Sequence, residues 1–359
     1  MRVLISGGGT GGHLFPAIAV AQALSRKDPD ATVLFAGRRD GIEAKTVASY
    51  GMRFAPIPAA PLYTEQVWRN WTLPLVLGAA LYRSWRLLDQ FKPDVVLGTG
   101  GYVSVPLITA AGLARVPVVL QEQNLMPGRA TRVLARFARK VATAYPESSI
   151  FLRASAIVVT GTPVRTEFWR RKEEFPARPR TILVLGGSQG AHRLNQAVGD
   201  ALPWLLDRPE LAIAHQTGPR EIDAMQAIKT ALPGPAAARY EPFAFAADLA
   251  GRIRAADLVI SRAGASTLSE VSAIGVPMIL VPYPYAGGHQ RLNVTPYESA
   301  GAAIVIADEE VEGRLRGVLM SVIDDPPRYR KMVEAMRGLG RPYAAEEVVR
   351  LLQEAARRN

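Results

Sequence analysis

Two glycine-rich loops carry the residue types in this chain that could do chemistry. The first, residues 7–13 (GGGTGGH), places Gly7, Gly9 and Gly12 in a literal GxGxxG after a short apolar run. The second, residues 186–191 (GGSQGA), adds a hydroxyl at Ser188 and an amide at Gln189. Without side chains, backbone amides can approach a phosphate or a sugar, and a helix starting behind the loop adds a partial positive charge. The second loop suits a diphosphate, and a tight strand-to-helix turn is the plain alternative for either loop alone. A nicotinamide dinucleotide fits poorly. Residues 32–39 (TVLFAGRR) end in Gly37, Arg38 and Arg39 where an acidic side chain would hold the ribose of NAD, and the two arginines leave NADP as a remote option. His13 closes the first loop, and an imidazole exchanges protons near neutrality.

The elements that must position these loops read as parallel strands with crossover helices, because short apolar runs ending in glycine alternate with helical patterns. The order of signals repeats. Residues 2–12 (RVLISGGGTGG) match 181–191 (TILVLGGSQGA), 94–101 (DVVLGTGG) match 257–264 (DLVISRAG), and 116–120 (VPVVL) match 276–280 (VPMIL). The fold class is therefore α/β, with two Rossmann-like domains whose parallel sheets are expected to face each other across a cleft lined by the glycine loops. Residues 170–180 (RRKEEFPARPR) read as a linker, so the boundary falls near residue 163, giving domains 1–162 and 163–359. The tail, residues 343–357, is helix-like and could pack back on the N-terminal domain.

Composition narrows the classes. Hydrophobic residues at 48% and charged residues at 21% exclude a mainly disordered chain. The absence of Cys excludes disulfides, thiolate metal sites and a cysteine nucleophile. With four His and no cluster at metal-ligand spacing, no metal is expected. A net charge of +11, from 43 Lys and Arg against 32 Asp and Glu, points to an anionic partner. Nucleic acid is disfavoured because the basic residues are scattered, no binding-module signature is present and aromatics are 7%. No signal-peptide stretch precedes the first loop, and the apolar run 73–82 is far short of the roughly 20 residues of a spanning helix, so a cytosolic chain without a membrane span is expected.

Taken in order, GGTGGH (8–13), GTGGY (98–102), EQN (122–124), PVR (163–165), GGSQGA (186–191) and SRAGASTLSE (261–270) resemble the MurG family of peptidoglycan N-acetylglucosaminyltransferases, over about residues 1 to 345. The resemblance implies a GT-B fold and an inverting glycosyltransferase without cofactor or essential metal. Such an enzyme moves GlcNAc from UDP-GlcNAc to the C4 hydroxyl of the MurNAc of lipid I, undecaprenyl-diphosphoryl-MurNAc-pentapeptide, to form lipid II. It implies that Glu270 accepts the ribose hydroxyls of UDP, a task suited to the two oxygens of a carboxylate. By the same resemblance Thr10, Gly11, Gly12, Asn124, Arg165, Ser188, Gln189, Ser266 and Thr267 belong to the donor site, the uracil meets backbone near Ala246, and His289 and Gln290 read the donor sugar. His289 stands where a second glutamine can occur, Gln121 where His is common before EQN, and Thr162 where Asn is common before PVR. The acceptor side is implied to comprise His13, Gly100, Gly101 and Tyr102. Two roles stay open for His13: general base toward the attacking hydroxyl, or a group that positions the acceptor or its diphosphate.

A lipid-linked acceptor implies contact with a membrane surface. Residues 67–88 carry Trp68, Trp71, Leu75, Leu77 and Trp85 with Arg69, Arg83 and Arg86 at the flanks, more apolar surface than a helix covering a sheet needs. Arg129, Arg132 and Arg136 fall on one side of a second helix. The resulting expectation is a peripheral protein on the cytoplasmic face of the bacterial cell membrane, touching its anionic inner leaflet, with cell-wall synthesis or divisome proteins as candidate partners. The rival reading is another GT-B enzyme using a UDP-sugar, such as a diacylglycerol glycosyltransferase or a UDP-GlcNAc epimerase.

Overall fold

Strands buried on both faces need apolar side chains in both directions. RVLIS (Arg2–Ser6, β1) and TILVL (Thr181–Leu185, β8) meet that need, and in the computed structural model of the chain each sits inside an all-parallel sheet. The structure describes residues 1–61, 66–154, 156–187, 190–284 and 289–357. The sequence-predicted Ser188 and Gln189 lie outside the described residues. The chain divides into two compact units, Met1–Thr166 with Tyr343–Asn359, and Glu167–Pro342.

In the first unit β1 is joined by β2 (Thr32–Gly37), β3 (Arg53–Pro56), β4 (Val95–Gly98), β5 (Val118–Glu122), β6 (Lys140–Thr143) and β7 (Ile157–Val159), in the order β3-β2-β1-β4-β5-β6-β7. In the second, β8 is joined by β9 (Ala212–Gln216), β10 (Tyr240–Phe243), β11 (Leu258–Ser261), β12 (Met278–Leu280) and β13 (Ala303–Val305), in the order β10-β9-β8-β11-β12-β13. The three sequence matches therefore occupy like positions: β1 with β8, β4 with β11, β5 with β12. The α/β class read from the sequence is the class observed, and strand order reverses between β1 and β4 and between β8 and β11, the switch points where open sheets bind ligands.

An aspartate fixes each switch-point pair of strands. The Asp94 carboxylate accepts from the Arg2 amide at 2.7 Å. Asp257, buried, accepts from the amides of Arg180 and Thr181 at 2.9 Å and from Lys172 Nζ at 2.8 Å. These carboxylates hold the first amides of β1 and β8, which begin before the ladder can satisfy them.

Helix α1 (Gly11–Lys27) is buried nearly all round, from Leu14 through Leu24, because it is covered twice. The sheet lies beneath it, and helix Ala344–Ala356 packs alongside it on the same face, where it also meets β4, β5 and β6. Arg139 Nη1 donates to the Ala355 carbonyl at 2.9 Å and Lys140 pairs with Glu354, so the end of the chain is fastened to the first unit. Helix α2 (Ile42–Ser49) follows β2, and α3 (Leu73–Phe91) and α4 (Val105–Leu113) precede β4 and β5.

Candidate functional site

The site in the first unit starts from a lack of room. At the end of β1 a Cβ on Gly7 would lie 1.7 Å from Thr99 Oγ1, and one on Gly101, already at φ +79°, would lie 2.3 Å from the Gly8 carbonyl oxygen. Only glycine lets the loops after β1 and β4 close on each other in this way. Into the space so formed projects His13, in the first turn of α1. The Gly100 and Gly101 Cα positions flank its ring, where added Cβ atoms would come within 2.8 Å of Nδ1 and 3.1 Å of Cδ2. Thr99 holds the same residue twice: its Oγ1 donates to the His13 carbonyl at 2.7 Å, and its own carbonyl lies 3.1 Å from His13 Nδ1. Gln123 reaches the same nitrogen at 2.5 Å. His13, Gly100 and Gly101 are thus one constellation, with Thr10 as the residue before α1 and Gly11 and Gly12 as its first helical residues.

Tyr102 joins it from the side. Its ring packs on Gly9, and its hydroxyl accepts from Arg38 Nη1 at 2.8 Å, a bond that holds the guanidinium pKa above its ordinary value. The Arg38 amide in turn donates to Glu43 Oε1 at 3.3 Å. Glu43, in the first turn of α2, is 1% exposed and lies beneath Gly8, Gly37 and Gly41, whose missing side chains make its space; its Oε2 has no partner among the described residues. A Glu at a helix start ordinarily reads as solvated, and the signal that marks this one is the pair of glycines, Gly37 and Gly41, just before it.

After β5 the EQN segment folds around Glu122, whose carboxylate accepts from the Asn124 amide and Nδ2, both at 3.0 Å, and from the Gly128 amide at 3.1 Å. Asn124 is thereby oriented by its neighbour. Gln121 and Thr162, the two departures from the family pattern, are buried, and their side-chain polar atoms, with Thr143 Oγ1, have no partner among the described residues. Arg165 belongs to the first unit, where its guanidinium donates to Tyr50 at 2.9 Å and stacks 4.6 Å from the Phe15 ring centroid.

The second unit builds its site on the same plan. At the end of β8 the Gly186 amide donates to the Gln216 carbonyl, and a Cβ on Gly190 (φ +81°) would sit 2.5 Å from the Thr217 carbonyl. Beneath this loop runs a buried relay that sequence reasoning missed. Asn195, on helix His192–Leu206, donates through Nδ2 to the Thr217 carbonyl at 2.9 Å and to Glu221 at 2.6 Å, which turns its Oδ1 toward His215 Nε2 at 3.0 Å. His215 Nδ1 accepts from the Tyr240 hydroxyl at 2.9 Å. Burial pushes the His215 imidazole down to about 3 and raises the Tyr240 phenol, so both stay neutral.

After β11 the SRAGASTLSE segment turns into helix Ala265–Ile274, with Ser266 and Thr267 in its first turn and Glu270 on its buried side at 5% exposure. Arg262 of that segment is committed to an ion pair with Asp308. Gln290 Oε1 accepts from the Ala263 amide at 3.2 Å and the Tyr283 amide at 2.9 Å, which leaves the amide nitrogen as its donor end; His289 precedes it in the same short helix. Ala246 is buried in the turn before helix Leu249–Ala255. The second unit therefore brings Ala263, Ser266, Thr267, Glu270 and Gln290 onto the segments that follow β11 and β12.

Two all-parallel α/β units in one chain, each with a glycine loop at its switch point and a helix N-terminus behind it, define the two-Rossmann, GT-B fold class. Residues 3–143 match the N-terminal domain and residues 181–348 the C-terminal domain of glycosyltransferase family 28. The UDP-N-acetylglucosamine--N-acetylmuramyl-(pentapeptide) pyrophosphoryl-undecaprenol N-acetylglucosamine transferase of Moorella thermoacetica is 40% identical across 98% of both chains, and that of Syntrophus aciditrophicus 39% across 97% of both. The crystal structure of Acinetobacter baumannii MurG aligns with a TM-score of 0.78 at 30% identity, covering 98% of this chain and 99% of that one. The chain belongs to glycosyltransferase family 28, in its MurG branch. The UDP-GlcNAc 2-epimerase of Neisseria meningitidis, at 14% identity and a TM-score of 0.69, shares the fold alone.

Two outcomes are expected from this geometry. Gly101→Ala should cost about 1–3 kcal/mol through its positive φ and its clash with the Gly8 carbonyl, whereas Gly78→Ala in α3, where a Cβ meets nothing within 4 Å, should be neutral or stabilising by about 0.5–1 kcal/mol. Denaturant unfolding of both variants checks the contrast. His215 is held neutral, so the unfolded chain binds a proton below about pH 6.5 that the folded chain refuses until about pH 3. Its contribution is complete above pH 6.5 and is lost as pH falls, by about 2 kcal/mol at pH 5. An NMR titration should show its ring unprotonated at pH 5; proton uptake near pH 6.5 would contradict the buried relay.

Proposed function

We propose that the chain transfers GlcNAc from UDP-GlcNAc to the C4 hydroxyl of the MurNAc in lipid I, with inversion, and so makes lipid II. The relationship that carries this reading is full-length identity of 36–40% to transferases of that name. What supports it locally is the His13 constellation at the first switch point and Glu270 at the second. In the step itself the acceptor oxygen forms a bond to the anomeric carbon while the bond from that carbon to the UDP oxygen breaks, its electron pair leaving with UDP. The hydroxyl proton passes to the His13 imidazole acting as general base. The helix N-terminus behind the SRAGA turn and the amides of the second glycine loop meet the charge that develops on the diphosphate, so no metal is invoked. Glu270 takes the ribose hydroxyls, and Gln290 donates to the sugar through its nitrogen.

Membrane contact belongs to the same proposal. Helix α3 buries one stripe, Ala80, Ser84, Leu88 and Phe91, and leaves Leu75, Leu77, Tyr82 and Trp85 exposed, with Trp68 and Trp71 just before it at 72% and 79% exposure. Val76 of this helix lines a groove of about 460 Å³ with Ile57, Arg38, Arg39, Asp40 and Arg83. A surface of aromatic and aliphatic side chains beside a basic groove suits an anionic lipid surface, rings entering the headgroup layer and guanidiniums meeting phosphate. Arg129, Arg132 and Arg136 are exposed as well. None of the described helices is long and apolar enough to cross a membrane. In this reading the contact is peripheral, at the cytoplasmic face, where the lipid-linked acceptor is presented. Cell-wall synthesis or divisome proteins are its natural neighbours there.

Transfer of radiolabel from UDP-GlcNAc to a short-chain lipid I analogue, with EDTA and a no-acceptor control, tests the reaction. Acceptor-dependent transfer should survive EDTA, and Glu270→Ala should lower kcat/KM by about 100-fold, mostly through donor binding. Release of label without an acceptor, or no product with donor still bound, would move the acceptor assignment elsewhere. Co-sedimentation with phosphatidylglycerol vesicles tests the surface: the double variant Leu75→Glu with Trp85→Glu should lose most binding, and unchanged binding would remove α3 from the proposal.

A further inference from the structure

His13 Nδ1 has two close neighbours whose hydrogen-bonding demands conflict as placed. The Thr99 carbonyl, 3.1 Å away, is an acceptor and nothing else. The Gln123 amide, at 2.5 Å, presents its NH2 end, a donor. One ring nitrogen cannot give a hydrogen to the first and accept one from the second. The carbonyl is backbone, held in place because the Thr99 amide donates to the Ser6 carbonyl at 3.0 Å and the Thr99 hydroxyl donates to the His13 carbonyl, so it cannot adapt. The amide can, since its oxygen and nitrogen exchange places by a half-turn that leaves its outline unchanged.

The same rearrangement changes the partner of the amide's other end. Gln123 is 2% exposed, and its Oε1 is a buried oxygen without a partner among the described residues. Turning the amide brings that oxygen onto Nδ1 and satisfies it. The conflict at Nδ1 is removed if Nδ1 carries the hydrogen, shared between the Thr99 carbonyl and Gln123 Oε1, and the Gln123 NH2 then takes the buried place the oxygen held.

We infer that Gln123 is a positioning residue that fixes His13 in the Nδ1–H tautomer, so that Nε2 holds the lone pair that receives the acceptor's proton. The inference rests on the reading of His13 as general base. It assigns the middle residue of EQN a task distinct from that of Glu122, which orders the loop, and Asn124, which that carboxylate orients. The ring plane is set by the Gly100 and Gly101 backbones on its flank, and the ring's protonation pattern by Thr99 and Gln123. When Nε2 accepts the proton, Nδ1 keeps its hydrogen and both oxygens remain correct partners for the cation, so neither partner of Nδ1 must reorganise during the step.

The test uses the whole enzyme labelled with 15N-histidine, the chain's four His being separated by comparison with His13→Gln. Long-range 1H–15N correlations distinguish the two tautomers directly. Wild type should show His13 with its hydrogen on Nδ1. Gln123→Leu should add a population protonated on Nε2 and lower kcat at least about tenfold with the KM for UDP-GlcNAc unchanged. Gln123→Glu, which keeps an acceptor oxygen at the same reach, should restore the Nδ1–H signature. In a His13→Ala background, Gln123→Leu should cost nothing further in kcat. An Nε2–H tautomer in wild type, or a Gln123→Leu penalty that persists without the imidazole, overturns the inference and leaves the transferase reading intact. Correct tautomers with no acceptor-dependent transfer would overturn that reading instead.

Discussion

Everything at the first switch point depends on how closely two backbones approach where β1 and β4 end. With 2.3 Å between a would-be Cβ of Gly101 and the Gly8 carbonyl, no other residue can stand there without moving one loop off the other. That closeness sets the position of Thr99, which holds His13 at its carbonyl and at its ring. The second unit obeys the same constraint at Gly186 and Gly190 but solves its support differently. There His215 lies wholly inside, neutral between Asn195 and Tyr240, and holds the loop without titrating.

The comparison of the two units is informative because their plans match. In each, a histidine follows the glycine loop at the start of a helix: His13 in one, His192 in the other. His13 faces the glycine pair after β4. After β11 the corresponding pair is Ala263 and Gly264, and His192 instead stands in solvent at 70% side-chain exposure and pairs with Glu221. One scaffold thus presents a clamped imidazole in the first unit. In the second it presents a helix N-terminus and a carboxylate at Glu270.

Much of this was legible in the sequence, for physical reasons. Doubly buried parallel strands must be apolar runs, and their glycine endings mark places where side chains do not fit. The repeated order of such runs therefore gave the two sheets and placed β1 with β8 and β4 with β11 before any coordinate. The supporting residues were not legible. Glu43, Asn195, His215 and Gln123 are polar side chains whose burial arises only when segments far apart in the chain meet. Gln123 stands inside the EQN motif but lies 110 residues from His13, and nothing local shows that the two side chains meet. Arg38 read only as a residue that left NADP a remote option, yet it donates to the hydroxyl of Tyr102 from 64 residues away.

The all-round apolar character of α1 follows from the path of the chain's end. A helix covering one face of a sheet needs a single apolar stripe, so residues 14–24 (LFPAIAVAQAL) carry more apolar side chains than that task explains. Helix Ala344–Ala356 supplies the second cover, burying Val348, Val349, Leu351 and Leu352 in the first unit. Because α1 is packed on two sides along its length, the turn that carries His13 is the start of a rigid element rather than the tip of a loop. The role proposed for His13 requires a ring held to within fractions of an ångström, and the last segment of the chain helps to hold it there.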